Sequence, residues 1–485
     1  MLSVRKSLLL SSIQRYASTI LALISTMILS RILTPEEIGI FSIATILVAV
    51  INSVREFGIG EYVTYEPNLT KEKLRTAQGI SLLVMWSLGL IILILAQPAA
   101  EFYKEPGVGR VMIVLSMSSF LLPFGNVVMA YWHREMDFNR TVSIDLSALT
   151  VRFIFVIILA FLGFSYMSMA WAQVASMVTT IALAAYFRPK WFPIRPSMKE
   201  AKSIASFSSK AMGINITKEI SDGSTDLVLG RLLDVAAVGI FSRALGVVSL
   251  FQLMIVESIR LVVQPYFSAY NRQGGDIVHP YLKTMTYITG LAWPFYINLF
   301  FFADPIIQLL YGSQWSSSVP VAKILCISGI FQILAAFNPN LCIALGNPSL
   351  PLKINTISGI LKFFILILIA SYGLQIAAIG VVIATIIEII LWLTFLKTFI
   401  VIDTIQYIQA LNKSVYVTLM NTIPIVLVWF IYRDFTNIPI SKLIIIACSI
   451  FGTWLLALRI TQHPLYCEIA QIPPILWKKI SFYKK

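Results

Sequence analysis

Stretches of about twenty nearly uncharged residues recur along this chain from end to end, and that recurrence limits its fold more than any other feature. The run SLLVMWSLGLIILILAQ, Ser81 to Gln97, has no charged side chain. A bilayer core about 30 Å thick is crossed by about twenty helical residues, and hydrocarbon admits only segments whose backbone groups are satisfied internally. Such runs lie near 12–33, 37–58, 78–97, 107–131, 142–163, 165–187, 203–231, 236–264, 281–303, 321–346, 353–371, 374–397, 411–432 and 440–460. The chain is therefore expected to be an all-α polytopic membrane protein of about fourteen transmembrane helices. The breaks at 163–165 and 371–374 rest on length alone. A soluble reading is excluded by 58% hydrophobic and 12% charged residues and a mean hydropathy of +0.83.

Orientation follows from where the cations fall. With the N-terminus inside, 25 of the 37 Lys and Arg flank inner span ends and 7 flank outer ones. That bias places both termini in the cytoplasm of a bacterial inner membrane. The net charge of +14 then reports topology, and nucleic acid is not an expected partner. The segment 187–202 (FRPKWFPIRPSMKEAK) and the tail 461–485, with Trp477-Lys478-Lys479, are the richest inner pieces. Trp191 and Phe192 are placed to dip into the membrane interface.

An internal repeat organises the helices. Ser30–Ala44 (SRILTPEEIGIFSIA) and Gly230–Ala244 (GRLLDVAAVGIFSRA) match at seven of fifteen positions at an offset of 200. Thr34-Pro35-Glu36-Glu37 reads as a capping box with Pro at the first helical position, and Asp234 as the N-cap of the second copy. These residues are structural rather than substrate-binding candidates. Six spans separate the copies, so the halves run the same way through the membrane, as a parallel repeat with a site expected between them near the midplane. This gives an N-lobe (1–190), a basic linker (191–202), a C-lobe (203–397), extra helices 13–14 (398–460) and a basic cytoplasmic tail (461–485). A fainter match at offset 210, Val151–Gly163 against Leu361–Gly373, keeps four of thirteen positions and aligns Arg152 with Lys362.

Charges within spans are the candidate functional groups, since each costs on the order of 3 kcal/mol at a helix centre. Arg152 and Lys362 are too central to snorkel, so each should face a wet cavity or a carboxylate. Arg binds phosphate through a bidentate fork and Lys as a point charge, so Arg152, Lys362, Lys218 and Arg243 are candidate ligands for an anionic group. Asp145, Glu219, Asp222, Asp226 and Glu388 are candidates to carry a coupling proton or sodium ion. Interhelical ion pairing, with Lys218 and Asp222 as an i,i+4 pair, is the competing use of these groups. His133, His279 and His463 lack metal-ligand spacing, and the chain has no phosphate-binding glycine loop; no cofactor or metal is expected.

Several of these segments resemble the polysaccharide-exporting (Wzx-type) oligosaccharide flippases of the superfamily that also holds the multidrug MATE exporters. They are the run from Arg31 through Pro35 to Gly39-Ile40-Phe41, Arg55-Glu56-Phe57-Gly58-Ile59-Gly60, and Asp226 to Arg231 followed by Gly239-Ile240-Phe241-Ser242. The resemblance implies a secondary transporter, not an enzyme. It would move an undecaprenyl-diphosphate-linked oligosaccharide from the cytoplasmic to the outer leaflet by alternating access, for O-antigen, capsule or exopolysaccharide synthesis. Other polysaccharide-assembly membrane proteins would be its partners. A MATE-like cation-coupled drug exporter is the first rival. An integral membrane glycan polymerase or ligase is the second, although the longest outer connections, 98–107 and 304–320, are short for a catalytic loop.

Overall fold

A computed structural model describes residues 4–53, 59–193, 195–199, 219–399, 404–433, 435 and 438–470. Helices fill nearly every expected span. In order they are α1 (Val4–Ile32), α2 (Pro35–Ser53), α3 (Ile59–Tyr65), α4 (Lys71–Tyr103), α5 (Pro106–Leu121), α6 (Pro123–Arg134), α7 (Phe138–Phe161) and α8 (Met167–Phe187). The chain is helical again over 219–232, here α9. Then come α10 (Val235–Val248), α11 (Glu257–Arg272), α12 (Val278–Phe301), α13 (Ala303–Tyr311), α14 (Ser318–Gln332), α15 (Asn338–Ala344), α16 (Ser349–Ile369), α17 (Leu374–Leu396), α18 (Thr404–Asn421), α19 (Ile423–Tyr432) and α20 (Ile440–Ile460). A last helical stretch, α21, covers 464–470.

Among the described residues nine helices are long and apolar enough to cross a membrane, or twelve if each of three bent pairs is one span. The protein is thus a multi-pass membrane protein, and that tally stops short of the expected fourteen. The other two expected spans coincide with α1, 29 residues long, and with the 203–231 run, described only from 219. The bends refine the sequence reading. The 107–131 run breaks by 54° where Pro123 starts α6, and the 236–264 run by 46° around a π-turn at Gln252–Val256. Residues 304–311, expected to be loop, belong to α13 (Ala303–Tyr311), turned 81° from α12. Both short breaks are present: Gly163 (φ +82°) and Ser165 (φ +53°) part α7 from α8, and Gly373 (φ +122°) parts α16 from α17.

The chain packs as two compact units, Met1–Ser242 with Leu366–Leu374, and Arg243–Ile365 with Gln375–Lys485. In the first, the two copies of the offset-200 repeat meet. A Cβ on Gly39 would lie 1.7 Å from the Val235 carbonyl oxygen, and one on Gly239 would lie 1.9 Å from that of Pro35. The first turns of α2 and α10 therefore cross with backbones touching, which only glycine allows. Gly223 and Gly230 seat α9 against the side chains of Ile46 and Ile43 of α2, 2.4 and 2.5 Å from where a Cβ would lie. The expected caps form: Thr34 N–H donates to Glu37 Oε2 at 2.7 Å, Glu37 N–H to Thr34 Oγ1 at 3.3 Å, and Ala237 N–H to Asp234 Oδ1 at 2.6 Å. Glu37 also accepts from the Ser165 hydroxyl, tying that left-handed turn to α2.

The linker binds the start of α4 through Ser197 Oγ to Glu72 Oε1 (2.6 Å) and Arg75 Nε to the Arg195 carbonyl (3.1 Å). Phe192 does not reach the interface; it is buried in a core with Tyr62, Leu74 and Trp132, while Trp191 stays exposed. In the second unit, α12 packs against α14 and α18.

Candidate functional site

Arg152 is set by the periodicity of α7, which packs against α8 and α1. Residues four apart share a helix face, and on this one Ile144 (0%), Ala148 (5%), Val156 (4%) and Ala160 (4%) are all buried. Arg152 occupies the middle place in that series and is exposed. Ile154, Ile158 and Phe161 mark the outward face of α7, so Arg152 opens onto space from the side that otherwise packs. Among the described residues it has no hydrogen bond and no carboxylate within ion-pair distance. Asp145, two turns earlier on the same face, accepts instead from Gln14 Nε2 of α1 at 2.8 Å.

Helix α16 repeats the arrangement at the offset of 210. Ile354 (0%), Ser358 (8%), Leu366 (0%) and Ala370 (0%) are buried at four-residue spacing, with a half-buried Lys362 in the middle place. The faint sequence match is thus matched in burial, residue for residue, and both helices end at a glycine of positive φ.

The remaining candidates differ. Arg243, on α10, lies over the rings of Tyr311 (5.6 Å) and Trp315 (5.4 Å), both buried, and its Nε is buried without a hydrogen bond among the described residues. Such aromatic seating was invisible in sequence, because α13 and the 3₁₀ turn that carry Tyr311 and Trp315 read as a connection. Glu219, Asp222 and Asp226 share one stripe of α9 beside the glycines that meet α2; Asp222 is exposed and the other two are half-buried. Glu388 is half-buried on α17. Lys218 lies outside the described residues, as do Arg55 to Gly58 of the expected motif.

Against this geometry, the family model described as a polysaccharide biosynthesis protein matches residues 28–320. The chain belongs to that family. The family match runs through both copies of the repeat, Arg152 and Arg243. Among relatives, the lipopolysaccharide biosynthesis protein WzxC of Escherichia coli (strain K12) is 21% identical over 408 residues, 82% of each chain. Among solved structures, the lipid II flippase MurJ in its inward closed conformation superposes with a TM-score of 0.75 at 15% identity, covering 95% of this chain and 99% of that one. An inward-facing multidrug MATE transporter gives 0.57 at 16% identity over 82% of this chain and 94% of its own. The fold is therefore the one shared by MurJ and MATE transporters.

Proposed function

We propose that this family member flips an undecaprenyl-diphosphate-linked oligosaccharide from the cytoplasmic to the outer leaflet of a bacterial inner membrane, by alternating access, in the synthesis of a cell-surface polysaccharide. Family membership supports the polysaccharide part of this reading. The fold in common with a lipid II flippase supports the lipid-linked part. The observation that carries it is the pair of mid-helix cations, each the one departure from a buried four-residue stripe. An unpaired guanidinium at that depth is costly unless a wet space or an anion receives it, and a diphosphate is an anion that Arg binds in bidentate fashion. Arg152 and Lys362 are assigned to the diphosphate, with Arg243, held against two rings, and Lys218 as further cations. The acids Asp145, Glu219, Asp222, Asp226 and Glu388 are assigned to a coupling proton or sodium ion.

Depleting the protein in its host and locating the lipid-linked oligosaccharide tests the function. Build-up on the cytoplasmic leaflet is expected. Build-up on the outer leaflet would turn the assignment toward a polymerase or ligase, and no build-up with increased drug sensitivity toward a MATE-like exporter.

A further inference from the structure

At one membrane boundary of the first unit, the end of α4 and the start of α5 leave an open cleft of about 430 Å³. Its deep end is apolar, with Leu93 and Ile113 both exposed. Its floor is shallow because Gly109 lets the helices touch; a Cβ there would meet the Ala96 carbonyl oxygen at 2.8 Å. Its rim carries Lys104 and Arg110. From Leu93 to Lys104 is about 16 Å along the helix, enough to run from acyl chain to headgroup depth.

The charges of this turn are unevenly used. Glu105 is spent as the cap of α5, accepting from Gly107 N–H at 2.9 Å. Glu101, the acid lining the cleft, accepts from Gln97 Nε2 at 2.7 Å. Lys104 and Arg110, both exposed, have neither a hydrogen bond from their side chains nor an ion pair among the described residues. Lys104 moreover sits at φ +55°, closing α4 with its N–H on Ala100 and Glu101. Glycine is the residue this position favours. A lysine in this left-handed position, beside an arginine and above an apolar trough, is chemistry for a phosphodiester with acyl chains attached.

We infer that this α4–α5 cleft is a binding site for an anionic glycerophospholipid, its phosphate held between Lys104 and Arg110 and its chain lying along Leu93 and Ile113. The inference is independent of the flipping assignment, because it uses none of the mid-helix cations.

Native mass spectrometry of the purified full chain, titrated with phosphatidylglycerol or phosphatidylcholine, tests it. A cation near an anionic headgroup contributes roughly fivefold to affinity, so the K104G/R110Q variant should bind its first phosphatidylglycerol roughly thirtyfold more weakly, with phosphatidylcholine unchanged. K104G alone should melt at or above the wild-type temperature, which separates lost charge from lost fold. The control R188Q/K190Q should keep its first phosphatidylglycerol. Equal binding by K104G/R110Q and wild type would overturn the site, as would an equal loss in the control or displacement of phosphatidylglycerol by equimolar phosphatidylcholine. Displacement by equimolar undecaprenyl phosphate would overturn the choice of ligand.

Discussion

At the residue scale the strongest signal was electrostatic cost. Arg152 and Lys362 stood out because nothing in hydrocarbon tolerates them cheaply. What sequence did not carry is that each interrupts an otherwise buried stripe, since burial depends on neighbours from other helices. Arg152→Gln and Lys362→Gln should each reduce flipping roughly 10- to 100-fold, the worth of a charged hydrogen bond of about 1.5–3 kcal/mol, while membrane insertion and melting temperature stay at wild-type values. Wild-type flipping by both variants would remove them from the site. His463 shows the opposite limit, a residue with no motif that became informative only on folding. It is fully buried, with Leu465 N–H donating to Nδ1 at 3.2 Å and Ser414 Oγ 3.2 Å from Nε2, while Lys413 lies near on α18. The backbone donor fixes Nδ1 as acceptor, so the neutral ring donates from Nε2. Burial, reinforced by Lys413, pushes its pKa down to about 4. A depressed value in the folded state means that the unfolded chain binds the proton better. The stabilisation is whole above pH 6.5 and drains away as pH falls toward 4. Wild type should therefore lose more melting temperature between pH 7.5 and pH 5 than His463→Asn does; parallel losses would show that another group titrates.

Among elements, span positions were legible because a bilayer demands a length, and helix starts were legible because caps have a chemistry. The capping box at Thr34 and the N-cap at Asp234 formed as read. Bends were not legible in the same way. Pro123 ends a helix at a point where hydropathy continues, and the π-turn at Gln252–Val256 has no local breaker at all. The repeat was visible as seven identities, yet its reason lay in three dimensions: Gly39 and Gly239 are identical because the two copies cross each other there. Gly39→Ala or Gly239→Ala must push a methyl into a carbonyl of the opposing helix. Overpacking of that kind costs about 1–3 kcal/mol, so either variant should melt lower in detergent. Thermal unfolding of Gly246→Ala is the comparison, because the nearest atom there, the Tyr311 hydroxyl, is 3.3 Å away and belongs to a side chain. An equal effect at all three positions would show that helical glycine, not the crossing, sets the cost.

For the whole molecule, the placement of the net charge of +14 matters more than its size. Lys and Arg gather at alternate ends of successive spans, and the described segments expected to lie inside use them in local pairs. Lys73 meets Glu66 at 2.7 Å, Arg75 meets Glu72 at 3.2 Å and Arg140 meets Asp137 at 3.4 Å. These pairs fold loops, and surface pairs of this kind add little to stability. Their cations nonetheless act together during insertion, where the bias of basic residues sets which loops stay in the cytoplasm. The 98–107 turn and the 187–202 linker lie at opposite ends of this pattern and so divide the two orientations. In a background lacking Cys326, Cys342, Cys448 and Cys467, a membrane-impermeant maleimide added to intact spheroplasts should label Glu101→Cys and spare Arg188→Cys. Glu101 is exposed and Arg188 half-buried, so neither is shut inside the fold, and a difference in labelling that lysis removes reports the membrane and not burial. Lysis should make both react. Labelling of Arg188→Cys in intact spheroplasts with Glu101→Cys protected would invert the orientation, and with it the direction assigned to flipping.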